Sequence, residues 1–532
     1  MKNILLSILV VFLSMQLFSI QAQVKISDDF SYSISEPYKV VDGLKVYFSI
    51  GEEVLSIKYR RGMFYFQKFS GDKLNEEKRV DLPKMEPGFT FEEFVKMDDK
   101  IYFFYSRWDR ENIKEQLFCR EVDFDGCGWA GEEQLMFKVD GKITGGFSIF
   151  GGGSGKFSFS LSYDEQKLIV QYRKVPKEKK DALNKDKIGM HVYDKNLNEQ
   201  WAEVIEMPYT EKKMNNLGYS IDGLGNAYLL AGVFRSESTR KMIKGKTNYD
   251  IELIRIDADD QSLSHTKVIF EDKLISAISF FEGKEGEIVL AGYYGNKSYN
   301  YMDGLFLAKV DAEGDITEKK IIEVPVEVMS MYMSERAQAK MKKKDGKKDV
   351  SMSKMVLRDL IYNADGSVSI YGEKYYVVSR TDPNTGNTSY TYYYQEILVA
   401  NIDADGELAW MTKLPKNQSG KSDTGGMGFY VMSHGGSEYV LFLDNVKNIE
   451  LPMDKSPKAH KDGRGGFLTG FKIETETGDI KKISILNTLD AKGTRFYQFK
   501  MGRIIKLSDG SIAIETYIKK KQDVMLRIKL ND

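Results

Sequence analysis

Four histidines, two cysteines and two glycine-rich runs are where covalent, metal or phosphate chemistry would have to rest in this chain. His191, His265, His434 and His460 do not pair at metal-ligand spacing. His434-Gly435-Gly436 has the form of an oxyanion-loop tripeptide, but no G-x-S-x-G nucleophile turn accompanies it. GCGWAG at 126–131 matches G-x-G-x-x-G, which binds a dinucleotide only between a strand and a helix. Here it overlaps a hairpin turn, and strand-like EEQLMFKV follows. GGGSGK at 151–156 is one residue short of a phosphate loop, and Phe157 stands where Ser or Thr would hold magnesium. It reads as a linker. No cofactor and no metal are expected. With a turn at 123–126, Cys119 and Cys127 lie ~13 Å apart at ~3.3 Å per residue, beyond the ~7 Å a disulfide spans. No bridge is expected, although an oxidising compartment would permit one.

The elements that must position any site recur along the chain. LFLAKVDAEGDITEKKIIEV (305–324), ELIRIDADDQSLSHTKVIF (252–270) and ILVANIDADGELAWMTKL (397–414) each run from an apolar strand through a polar turn into a second strand. Clear D-x-x-G turns lie at 123–126, 311–314 and 403–406, with degenerate copies near 70, 194, 257 and 475. Asp caps such a turn, and Gly closes it in the left-handed conformation. None shows the D-x-D-x-D-G run of a calcium loop. A further hairpin precedes each turn, as in GEIVLAGYYG (286–295) and GNAYLLAGVF (225–234). Four strands per unit describe a propeller blade. The expectation is an all-β propeller of eight four-stranded blades, with seven as the alternative. MGRIIKLSDGSIAIETYIKKKQDVMLRIKL (501–530) supplies only three strands, so a segment at 30–34 is expected to complete that blade. VMSMYMSERAQAKMKKKDGKKDVSMSKM (328–355) breaks the pattern. A short helix is expected there, with Met329, Met333, Ala337 and Met341 on one stripe.

Residues 1–22 have a basic start, an apolar core and Ala22 before a cut, the form of a secretory signal. The apolar run is short for a membrane span, so the mature chain 23–532 is expected to be exported, to the periplasm or beyond, with no span of its own. Net charge is −1, which gives no general attraction to nucleic acid.

LDNVKN (443–448) through PKAHKDGRGG (457–466), with YYYQEILVANIDADGELAW before it, resembles an uncharacterised family of secreted bacterial β-propeller proteins over residues 355–500. The resemblance implies the fold and an envelope location, and carries no activity or site residue. IDADGELAW (402–410) also resembles one repeat of the quinone-dependent dehydrogenase propellers. Those carry a Trp in most blades, whereas only Trp201 and Trp410 stand at comparable places here.

Within a blade of strands A to D, the B–C and D–A connections emerge on one face. Long B–C loops are expected at 106–115, 173–187, 235–249, 379–392 and 444–466, and the insertion at 326–355 is a D–A connection. Insertions gathered on one face of a repeat protein commonly mark its binding face. Segments 173–187, 235–249 and 326–355 each carry four more basic than acidic residues. The expected function is a binding or scaffolding module for an acidic partner, an anionic glycan or an acidic protein surface. Lys179, Lys180, Arg240, Lys241 and Lys244 would supply charge. Tyr249, Tyr299, Tyr301, Tyr390 and Tyr392 would supply stacking surface, with His460 and Arg464 beside them. A carbohydrate-active enzyme with paired channel carboxylates and a purely structural envelope component are the rival readings.

Overall fold

The middle strands of each repeat are apolar because both of their faces are covered. Ile288–Gly295 and Gly304–Val310 are buried at every position, while the outer strand Ile316–Glu323, rich in Lys and Glu, is buried at none. The turn before that outer strand shows the expected chemistry. Gly314 N donates to Asp311 O at 3.1 Å, Asp315 N donates to the Asp311 carboxylate at 2.7 Å, and Gly314 has φ +93°. The turn at 403–406 repeats it, with Gly406 at φ +76°. At 123–126 the left-handed residue is Cys127 (φ 58°), not Gly126; in the degenerate turns Gly71 and Gly478 are left-handed, as are Leu74, Leu197 and Gln261. Cys119 and Cys127 are buried and unbridged.

The structure is a computed structural model describing residues 27–531 apart from 145–154, 271, 284–285, 299, 346–350 and 422–424. The expected signal segment at 1–22 and Tyr299 lie outside the described residues. The molecule is an all-β propeller. Among the described residues, eight sheets are each built on four antiparallel strands, and two further sheets are two-stranded. Their first strands are Leu44–Ile50, Phe89–Met97, Ser158–Leu161, Met214–Ile221, Leu274–Glu282, Val356–Tyr362, Tyr430–His434 and Gln498–Lys506, for sheets 1 to 8 in order. Sheet 8 continues through Ile512–Ile518 and Gln522–Leu530 and takes Phe30–Ile34 as its fourth strand, with Phe30 opposite Leu530 and Ile34 opposite Leu526. First strands of neighbouring sheets touch, as between sheets 4 and 5, 7 and 8, and 8 and 1, which puts them innermost. Eight apolar clusters fill the gaps between consecutive sheets. One joins Ile505, Ala513 and Met525 of sheet 8 to Val54 and Phe69 of sheet 1. Burying a large apolar side chain contributes roughly 1.5–3 kcal/mol, so each seam is a substantial adhesive layer.

Two connections differ from expectation. The insertion between sheets 5 and 6 forms two helices, α1 (Val326–Ser330) and α2 (Glu335–Asp345), instead of one. The single methionine stripe does not form: Met329 is buried in α1, while Met333 lies between the helices and is exposed. Lys413 Nζ donates to the carbonyls of Met329 and Met331 and ends α1 there. The expected loop at 379–392 is mostly strand. Val368–Thr381 and Thr388–Ile402 run past the edge of sheet 6 as a two-stranded arm.

Candidate functional site at the mouth of the ring

The innermost strands do not run straight. In sheets 2, 4, 5 and 6 each bulges by one residue near its start, at Glu92, Leu217, Ser276 and Arg358. Strand starts lie at the end where B–C and D–A connections emerge, so the bulges lie at that end. In sheet 8 the excursion is larger. Phe499 pairs with Thr516 and Ile504 with Ile514, so residues 500–503 stand opposite Glu515 alone. Bulges interrupt a ladder and re-aim side chains. Cavities of about 280 Å³ between sheets 4 and 5, 560 Å³ between sheets 5 and 6, and 360 Å³ between sheets 8 and 1 lie at these irregularities.

The structure distributes the sequence-predicted residues over this end. Lys241 and Tyr249 line the cavity between sheets 4 and 5, beside Leu217 and Ile275. The Tyr249 hydroxyl accepts a hydrogen bond from Ile275 N at 2.8 Å, which fixes the ring as a wall and not as a free stacking surface. Lys179 and Lys180 are exposed in the B–C connection of sheet 3, and Arg240 and Lys244 in that of sheet 4. Lys179, Lys180, Arg240 and Lys244 form no ion pair among the described residues. Tyr301 is half exposed on a short ladder to Ser353 of the insertion. Tyr390 is half exposed and Tyr392 partly buried on the arm of sheet 6. That arm carries an aromatic ladder unnoticed in the sequence. Tyr376 stacks on Tyr393 at 4.7 Å, and the Arg358 guanidinium lies 5.3 Å and 5.6 Å from the rings of Tyr375 and Tyr394. Arg464 is exposed in the B–C connection of sheet 7.

His460 is a correction. It is 2% exposed, so it is not part of a surface that a partner touches. Burial lowers its pKa to about 4 and keeps the imidazole neutral. A Cβ on Gly466 would lie 2.9 Å from the ring, so glycine at 466 is what lets the backbone pass it.

The strongest polar cluster at this end was not found from the sequence. It sits at the seam between sheets 8 and 1. The Glu515 carboxylate accepts hydrogen bonds from Tyr38 (2.8 Å), Tyr47 (2.7 Å), Lys58 and Lys45. Lys45 also donates to Asp523 at 2.8 Å. Side chains of Lys58, Glu515 and Asp523 are at most 2% exposed. Burial pushes the Glu515 carboxyl up, but Lys58 and Lys45 outweigh it and hold the group well below the usual carboxylate range. Burial and then the charge of Glu515 raise Asp523 to about 6. The partners are 457 to 478 positions apart in sequence. The available signal was a charge inside an apolar strand: Lys58 in LSIKYR and Glu515 in IAIETYI. With four donors on its two oxygens, Glu515 has no lone pair left to attack a substrate. The pair is therefore poor machinery for glycoside cleavage, although the split in ionisation resembles an acid–base couple. Among the described residues, no group of three or more His, Cys, Asp or Glu is placed to hold a metal ion.

No family model matches the chain. No curated protein matches it either. Solved structures do match in fold. The Dos1 propeller is 10% identical with a TM-score of 0.39, covering 93% of this chain and 95% of that one. The β-propeller domain of the Trilobed protease from Pyrococcus furiosus is 10% identical at a TM-score of 0.31, covering 86% of this chain and 96% of that one. A prolyl endopeptidase is 10% identical at a TM-score of 0.39, over 92% of this chain. This chain spans only 55% of that enzyme's length. These likenesses concern the fold, not the chemistry.

Proposed function

We propose that the protein is an exported binding module that captures an acidic partner, an anionic glycan or an acidic protein surface, on the end of the ring bearing its long connections. The observation that carries this reading is the exposure of Lys179, Lys180, Arg240 and Lys244 there without carboxylate partners among the described residues. Surface cations already paired would have little left for a ligand. Exposed, unpaired ones attract anions over about 8–10 Å at physiological salt. The half-exposed Tyr301 and Tyr390 add apolar rings that stack on sugar faces or peptide side chains. The opposite end carries the tight turns described above, which offer little relief for a ligand. A cleavage role finds no support at the seam, where Glu515 is fully engaged.

The test is capture on immobilised acidic and neutral polysaccharides of matched length, followed by interferometry between about 50 and 300 mM salt. The wild type should hold the acidic polymer and release it as salt rises. Lys179, Lys180, Arg240 and Lys244 together changed to Glu should lower affinity at least about tenfold, since each lost contact is worth a fraction of a kcal/mol and each new acid repels. Equal capture by that variant, or capture indifferent to salt and polymer charge, overturns the reading.

A further inference from the structure

We propose that the cavity between sheets 8 and 1 binds one acidic monosaccharide unit, with its carboxylate toward Lys500 and Arg503 and its hydroxyls toward Asp42, Gln498 and Asp523. This site is separate from the exposed cations of sheets 3 and 4 and stands or falls apart from them.

The walls argue for the ligand class. At about 360 Å³ the cavity falls at the lower end of small-molecule sites. Lys500, Arg503 and Lys521 line it and form no ion pair among the described residues. A cavity with three such cations calls for an anion. Asp42, Glu515 and Asp523 lie on the same walls, so a compact dianion such as phosphate would meet repulsion as well as attraction. A ligand with one acid group and several hydroxyl donors satisfies both halves of the lining. Tyr517 adds a ring of the kind that packs against a pyranose face.

The floor is built before any ligand arrives. Tyr38, Tyr47, Lys45 and Lys58 hold Glu515, and Lys45 carries the clamp on to Asp523. The rim is irregular in two independent places. The inner strand leaves its ladder over residues 500–503, and Lys521 takes a left-handed backbone conformation. Bulges and strained non-glycine residues persist where surrounding structure over-determines them and cluster at binding sites.

The experiment is isothermal titration of the full chain with glucuronate and galacturonate, against glucose, a sulfated neutral sugar, glutamate and inorganic phosphate. A uronate should bind and the other four should not. Arg503→Ala should lower uronate affinity by about tenfold to a hundredfold, the worth of one charged hydrogen bond. Arg503 forms no ion pair among the described residues, so the variant's thermal midpoint should match the wild type and exclude a folding defect. Reversing Lys179, Lys180, Arg240 and Lys244 should leave uronate binding unchanged. A uronic oligosaccharide that binds through Arg503 while the free sugar does not identifies a polymer end as the source and supports the site. Glutamate or phosphate binding as well as a uronate, no acidic sugar bound at about 10 mM, or Arg503→Ala binding like the wild type each overturns it.

Discussion

Lys519, Lys520 and Lys521 join two strands of sheet 8, and the last two are left-handed, at φ 65° and 59°. Left-handed backbone favours Asn and Gly, and a β-unbranched residue in that region still costs of the order of 1 kcal/mol. Changing Lys520→Asn and Lys521→Gly together should raise unfolding stability by about 1 kcal/mol, read from a urea midpoint. The same variant should weaken uronate binding, because Lys521 lines the seam cavity. If stability and binding both rise, the strain serves nothing at this site. Asp523 gives a second prediction with a defined sign. Its carboxyl is raised to about 6 by burial and by Glu515, so the folded chain holds that proton more tightly than the unfolded chain. This contribution grows as pH falls from about 6 toward 4 and is lost as pH rises through 6. Glu515 runs the other way, contributing above the usual carboxylate range and failing below it. Between pH 7 and 5 the wild type should therefore gain about 1 kcal/mol relative to Asp523→Asn. Parallel urea midpoints for the two proteins across that interval would remove the assignment.

The strand Phe30–Ile34 is the element on which sheet 8 depends. It covers one edge of Gln522–Leu530, and Phe30 packs edge-on against Tyr439 at 5.9 Å. Phe30→Ala should cost about 3 kcal/mol, visible as a lower thermal midpoint. Removing the strand altogether should expose an unpaired edge and produce concentration-dependent association in light scattering. The arm of sheet 6 is the contrary case. Tyr376, Val377 and Val378 are about 40–50% exposed, so trimming residues 377–392 to a short turn should leave the midpoint nearly unchanged. If the arm takes part in capture, the same variant loses affinity for the acidic polymer. The elements differ in how readable they were. Strands and C–D turns were legible because alternation and D-x-x-G act within a dozen residues. The break between α1 and α2 was not, because a lysine from sheet 6 caps the first helix. The arm was missed because Ser, Thr, Asn and Gly at its tip read as loop, while the Tyr pairs that hold it are cross-strand contacts.

At the scale of the molecule, each sheet is glued to the next by an apolar cluster, and the same chemistry joins the last sheet to the first. That closure was legible as a missing strand at 501–530 and a spare one near residue 30. The seam cluster was not, since alternation says that Lys58 and Glu515 are misplaced but not that they are misplaced toward each other. His460 shows a limit of reading segments by their charge: a residue within a polar segment is buried. The pairing of Phe30–Ile34 with Gln522–Leu530 also has a consequence in time. Phe30–Ile34 is synthesised before sheets 1 to 7, and its partner after them. Joining two strands with seven sheets between them carries a large loop-closure entropy, although each doubling of span adds only about 0.6 kcal/mol. Sheets 1 to 7 are each complete within a short stretch and are free to form in order of synthesis. The eighth must wait. Until Gln522–Leu530 has been made, the nascent chain carries Phe30–Ile34 unpartnered beside seven sheets with an open flank. That interval is when a holding chaperone has something to bind, and a pulse-labelled chain should show protection of residues 30–34 arriving last.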